Sequence, residues 1–216
     1  TYAYRVFTWW KETFPNGKFH YVNGGIGGTT SHYGVSRAVT DVLMYQPDFV
    51  VVDFSVNDEP DEFFQETYEG VIRKLLQWKS EPAVVILNNV FYDTGKTAQD
   101  FHNAVGNWYQ VPHVSIKDTL YQEMQQGKYT REELTPDGLH PNDKGHKLVA
   151  EKIIAFLEEV RSHMAEKEDE LTIPESMTQN AYENARRLTI REISPELAGF
   201  RADTEENTGH LDHFKN

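Results

Sequence analysis

The sequence contains no cysteine, which removes disulfide frameworks, zinc-thiolate sites, iron–sulfur clusters and thiol nucleophiles from consideration. It has no apolar run near the roughly 18 residues that a membrane-spanning helix needs. The longest run, 49–52 with its neighbours, is strand-sized. Basic residues are scarce: 21 Lys and Arg stand against 34 Asp and Glu, a formal net charge of -13. Nucleic acids and anionic membranes both reward Lys/Arg patches, so this balance argues against either partner and suits a neutral or polyhydroxylated one. The chain opens on Thr1 rather than Met, inside a helical pattern. It therefore reads as part of a longer chain, and the compartment is left open.

What is present is the composition of a folded domain, 38% hydrophobic and 25% charged over 216 residues, enough for one full-sized domain with an extension. Short β-branched runs alternate with longer amphipathic stretches. Helical patterns are expected at 4–14, 33–45, 61–79, 98–109, 119–126 and 143–163, and strands at 19–22, 49–54, 83–87 and 111–116. Continuous apolar strands alternating with helices predict a parallel sheet covered on both faces, with functional loops at the carboxyl ends of its strands. From about Ala165 the character changes to a charge run and a polar tail. We read 1–163 as the main domain, 164–185 as a linker, and 186–216 as the start of a second, β-rich domain opening with a strand at 187–191. Oligomeric state is not readable.

Three segments carry chemistry. The first is Asp137-Gly138-Leu139-His140-Pro141-Asn142. An acid three residues before a histidine lets the carboxylate hold Nδ1–H of that imidazole and leaves Nε2 free as a base. Taken alone, an ordinary helix-entry loop with Asn142 or Asp143 as cap explains it equally well. The second is Ser55-Val56-Asn57-Asp58, where a side-chain amide can donate to a developing oxyanion. Asn and Asp are also common turn residues, and alone that is the better account. The third is the loop 23–30, whose Gly24, Gly25, Gly27 and Gly28 let backbone N–H groups approach an anion. It matches neither a dinucleotide fingerprint nor a phosphate-binding P-loop.

In this order, the three segments resemble the SGNH (GDSL) hydrolases, over roughly residues 2–160. The resemblance implies a three-layer α/β/α fold with a parallel, flavodoxin-like sheet. It implies Asp137 and His140 as the acid and base of a Ser-His-Asp triad, and Asn57 and the Gly28 N–H as oxyanion donors. It implies hydrolysis of acyl esters, acetyl esters on carbohydrates among them, with a small-molecule or carbohydrate ester as substrate and no metal or organic cofactor. The chain departs from the family in two ways. Ser55 stands where the third block usually has glycine, and no Gly-Asp-Ser occurs anywhere. The nucleophile is therefore expected a dozen or more residues before Tyr2. The family's first strand, lying between its second and third, is expected upstream as well, and the 216 residues alone are expected to be unstable or aggregation-prone. The alternative from another class is a non-catalytic carbohydrate- or ligand-binding domain that kept the fold.

Other residues have plainer readings. His210 and His213 lie in a polar tail without further ligands, and His20, His32 and His146 are scattered. The four tryptophans fall in helical patterns and read as packing, whereas Phe91 and Tyr92 are candidates to line an acyl or sugar pocket.

Overall fold

A computed structural model describes residues 1–163, 172–188 and 190–201. Its centre is a three-stranded parallel sheet, β1 (Phe49–Val52), β2 (Ala83–Asn88) and β3 (His113–Ser115), in the order β1-β2-β3. Phe49 pairs with Ala83 and Val52 with Ile86, and the ladder continues from Ile86 to His113 and from Asn88 to Ser115. Because side chains alternate along a strand, each strand feeds two cores. Phe49, Val51, Val85, Leu87 and Val114 face one layer. Val50, Val52, Val84 and Ile86 face the other.

The first layer is α1 (Tyr2–Thr13) and α7 (Asp143–Ser162), contributing Val6, Trp9, Trp10, Val149, Ile153 and Leu157. The second is α2 (Ser31–Asp41), α3 (Glu62–Leu76) and α4 (Gln99–Trp108), with Val35, Tyr68, Ile72, Leu75 and Val105. Burying each aliphatic chain of this kind stabilises by about 1.5–3 kcal/mol, so the two stripes account for the α/β/α arrangement. Caps set where helices begin. Asp61 Oδ1 accepts from Phe64 N–H at 2.9 Å ahead of α3, and Asn142 Oδ1 accepts from Gly145 N–H at 3.0 Å ahead of α7. Between β3 and α7 run a π-helical turn (Lys117–Tyr121) and two short helices, α5 (Gln122–Gln125) and α6 (Arg131–Leu134).

Three expectations need correction. Residues 19–22 form no strand, because they join no ladder: β1 has β2 on one side and no described strand on the other. Residues 187–191 do not form a strand in their described part. The Arg187 N–H donates to Ser36 O, its guanidinium reaches Tyr33 Oη, and a short helix, α8 (Ile190–Ile193), follows. Tyr92 lines no open pocket, being 2% exposed inside the α1/α7 core.

The stretch expected to be a linker is described from Thr172 onward, and there it packs against the second helical layer. Ile173, Met177, Tyr182 and Ala185 join that core. Glu69, fully buried on α3, accepts from the Met177 and Thr178 amides, the Thr178 hydroxyl and Tyr109 Oη. Arg73 donates to Glu183 at 3.0 Å and to Pro174 O at 2.9 Å. Residues 172–188 thus form a strap along α2 and α3. The polar tail with His210 and His213 lies outside the described residues.

Candidate active site

The turn ahead of α7 is built around Thr135 and Asp137. The buried Thr135 hydroxyl accepts the Gly138 N–H at 3.0 Å and donates to Asp137 Oδ1 at 3.1 Å. Asp137 Oδ1 also accepts the Leu139 and His140 amides at 3.0 and 2.8 Å, while Oδ2 lies 2.7 Å from His140 Nδ1. The His140 hydrogen bond, followed by those amides, holds the Asp137 carboxyl well below the usual carboxylate range. With Oδ2 ionised, Nδ1 donates the shared proton, which in the neutral imidazole leaves Nε2 with its lone pair. No described residue takes Nε2, and the side chain is 76% exposed, open to an incoming group.

The second segment follows β1. Asn57 and Asp58 both donate their N–H to Phe54 O at 2.9 Å, closing a tight turn that leaves Asn57 exposed and Asp58 buried. In the glycine loop, Gly28 has φ +70°, the left-handed region that favours glycine, and its position is exposed. The loop then enters α2 through Ser31, whose N–H donates to Asp58 Oδ1 at 2.8 Å. Glycine loop and Asn57 turn are therefore tied to each other.

The loop 89–98 after β2 connects that pair to the Asp137 turn. At one end the Ala98 N–H donates to Ser55 O at 2.7 Å and the Ser55 hydroxyl to Asn89 O at 3.1 Å. At the other end the Tyr92 N–H donates to Gly138 O at 2.7 Å. Two exposed ion pairs rim the same loop, Lys96–Glu59 at 2.7 Å and Arg131–Asp93 at 2.9 Å. All four residues singled out in the sequence, Gly28, Asn57, Asp137 and His140, thus sit on loops at one end of the sheet.

The serines fall elsewhere. Ser31 is fully buried with its hydroxyl 2.6 Å from Thr67 Oγ1, and Ser55 is turned to Asn89. Ser36, Ser80 and Ser115 donate to Tyr33 O, Pro47 O and Gln99 Oε1. None of these five hydroxyls reaches His140.

Sequence reading missed a set of buried polar groups beneath the loops. Asp53, at the end of β1, accepts from Tyr2 Oη at 2.7 Å and from Asn89 Nδ2 at 2.6 Å, and burial pushes its carboxyl up. The Tyr2 N–H in turn donates to His146 Nδ1 at 3.3 Å, and burial lowers that imidazole. Asp58 pairs with His102 of α4 at 3.0 Å. The available signal was an acidic residue directly after an apolar strand run.

Comparison with known proteins bears on the family and the fold. The family model of the GDSL-like lipases/acylhydrolases matches residues 2–148. No curated protein matches. Two crystal structures of a two-domain esterase active on acetylated mannans, one co-crystallised with mannopentaose, are 49% identical to the chain, with TM-scores of 0.81 and 0.83. They cover 85% and 84% of the chain, which itself spans about half of that esterase, 48% and 49%. An acetyl xylan esterase is similar in fold at 21% identity and TM-score 0.59, covering 72% of this chain and 90% of its own. With the parallel sheet, its flanking helices and the Asp137–His140 turn in place, the chain belongs to the GDSL-like lipase/acylhydrolase family.

Proposed function

We propose that this chain is most of a serine esterase domain that removes acetyl groups from carbohydrates, with the nucleophilic serine supplied from upstream of Thr1. The observation that carries the reading is the 2.7 Å contact between Asp137 Oδ2 and His140 Nδ1, beside an Nε2 with no described partner. In the proposed cycle the serine hydroxyl attacks the ester carbonyl while His140 Nε2 takes its proton. The tetrahedral intermediate expels the sugar alcohol, to which His140 returns that proton, leaving an acyl-enzyme. Water, deprotonated by the same nitrogen, then releases acetate and restores the serine. Asp137 holds the ring and stabilises the imidazolium, and Asn57 with the Gly28 N–H binds the oxyanion.

Two features support a carbohydrate ester over a lipid. The rim near the site carries the charged pairs Lys96–Glu59 and Arg131–Asp93, and such groups suit hydroxyls. The 49%-identical relative is an esterase active on acetylated mannans. A non-catalytic binding domain rests on the lack of a Gly-Asp-Ser in the 216 residues; a binder has no use for the aligned dyad.

The test is to express the chain as given and again with its native upstream residues, and to follow hydrolysis of a chromogenic acetyl ester and of an acetylated mannan. Turnover by the longer form alone, abolished by His140→Ala, is the expected result. A folded longer form inactive on both substrates would support the binding domain instead.

A further inference from the structure

We infer that Asp58 and His102 are positioning residues that hold the glycine loop and Asn57 at a fixed separation; this rests on the reading above that both segments bind the oxyanion. Asp58 is 3% exposed and His102 fully buried. The carboxylate divides its two oxygens: Oδ1 accepts the Ser31 N–H at 2.8 Å, and Oδ2 lies 3.0 Å from His102 Nε2. Asp58 adjoins Asn57, and Ser31 stands three residues after Gly28, so this single side chain spans the two segments.

The surroundings explain why an acid occupies the position. Thr30 is the N-cap of α2 yet makes no side-chain cap bond, so Asp58 caps that helix from another loop. An orphan N–H at a helix start needs only an acceptor, which an asparagine in place of Asp58 would also supply. The second donor is what demands a carboxylate, because an amide offers one oxygen where the site uses two. An acceptor on that side assigns His102 the tautomer with its proton on Nε2. Its Nδ1 has no partner among the described residues, which costs less as a lone pair than as a second N–H. The imidazole lies flat on Tyr68, ring centroids 3.7 Å apart and planes 5° from parallel. Its helix is pinned to the same turn by the Ala98 N–H on Ser55 O at 2.7 Å. A rigid ring on a core tyrosine therefore orients a carboxylate, and the carboxylate sets the distance between two catalytic segments. Misplacing reacting groups by about 1 Å can cost on the order of 10²-fold in rate, which is the scale at stake.

The experiment uses the full-length protein with Asp58→Asn, Asp58→Glu, His102→Phe and His102→Gln. It measures kcat and KM on the chromogenic acetyl ester, together with hydrogen–deuterium exchange over residues 23–31. Asp58→Asn and His102→Phe are expected to lower kcat about 10²-fold with KM within a few-fold, and to speed exchange selectively in 23–31. Asp58→Glu keeps the charge but shifts it by one methylene, and is expected to lose kcat while remaining folded. His102→Gln, which can donate along the Nε2 direction, should recover most of the rate. A kcat within threefold of wild type in Asp58→Asn and His102→Phe overturns the assignment. So does a loss that His102→Gln fails to recover, or exchange that rises evenly over the whole fold. If the wild-type protein hydrolyses no ester, the esterase reading fails, and selective exchange in 23–31 still decides whether Asp58 ties the loops.

Discussion

The Asp93 carboxyl fills the space that a side chain on Gly138 would occupy. Gly138 also has φ +82°, a conformation that residues with a Cβ adopt at a cost. Two independent constraints thus fall on the residue beside Asp137: the Asp93 contact from the bridging loop, and the conformation of its own turn. The Arg131 guanidinium holds Asp93 in place at 2.9 Å, so the carboxylate cannot simply swing away without breaking that pair.

Gly138→Ala is accordingly expected to cost more in catalysis than in stability. The positive φ accounts for about 1–2 kcal/mol, and displacement of the Asp137–His140 pair is expected to lower kcat on the order of 10²-fold. Removing the clash with Asp93→Ala in the same molecule, which deletes Cγ and both carboxylate oxygens, should restore part of the rate but none of the φ penalty. Steady-state kinetics and thermal unfolding of the single and double variants separate the two. A Gly138→Ala protein with unchanged kcat would mean that the turn does not position His140.

The identity of the nucleophile can be checked from within the chain. Ser31→Ala removes one hydroxyl contact, to Thr67, and keeps the amide that Asp58 accepts. It is expected to leave kcat within a few-fold while costing about 1 kcal/mol in stability. Asn57→Ala touches little that holds the fold, since Asn57 is exposed, yet losing an oxyanion donor typically costs about 10²–10³ in kcat. The pair of variants should therefore behave in opposite ways. A Ser31→Ala enzyme that is inactive but folded would replace the upstream serine with Ser31.

Much of this site was legible in the sequence because its parts are local. Asp137 and His140 lie in one turn, Asn57 follows an apolar strand, and Gly28 belongs to a glycine cluster, so each segment can be singled out locally, while the roles expected of them come from the resemblance of all three together. The helices 61–79 and 143–163 are strongly periodic, and they appear as Glu62–Leu76 and Asp143–Ser162. What escapes such reading depends on partners distant in the chain. Residues 19–22 have the composition of a strand, but a strand exists only where another pairs with it. Arg187 and Leu188 look β-like, yet the contact of Arg187 with Ser36 decides their path. Asp58 and His102 are separated by 44 residues, and neither is unusual until α4 brings them together. Tyr92 misleads for the same reason: its loop position suggests exposure, while the docking of Gly138 O on its amide turns it inward.

The strap offers a pH-dependent test centred on Glu69. Burial by itself pushes this carboxyl up, but the hydrogen bonds from Thr178 Oγ1, Tyr109 and the Met177 and Thr178 amides outweigh it, and the net shift is downward. A carboxyl depressed in the folded state contributes stability that is present above its unfolded pKa, near 4.3, and is lost as pH falls through the folded value. Acidification below about pH 4 is therefore expected to loosen residues 172–188 from α3. Glu69→Ala removes all four acceptor contacts at once and leaves buried donors unpaired. It is expected to destabilise by about 2–4 kcal/mol at neutral pH, a fall in Tm of roughly 2–4 °C for each kcal/mol in a chain of this size. Glu69→Gln, uncharged and able to accept at one oxygen only, should fall between the two. Its stability should also no longer carry the decline that this carboxylate gives the wild type below pH 4. Thermal unfolding from pH 3 to 8, with proteolysis to report release of the strap, measures both effects. A Glu69→Gln protein with the same acid decline as wild type would show that other carboxylates, not Glu69, govern the acid stability of the strap.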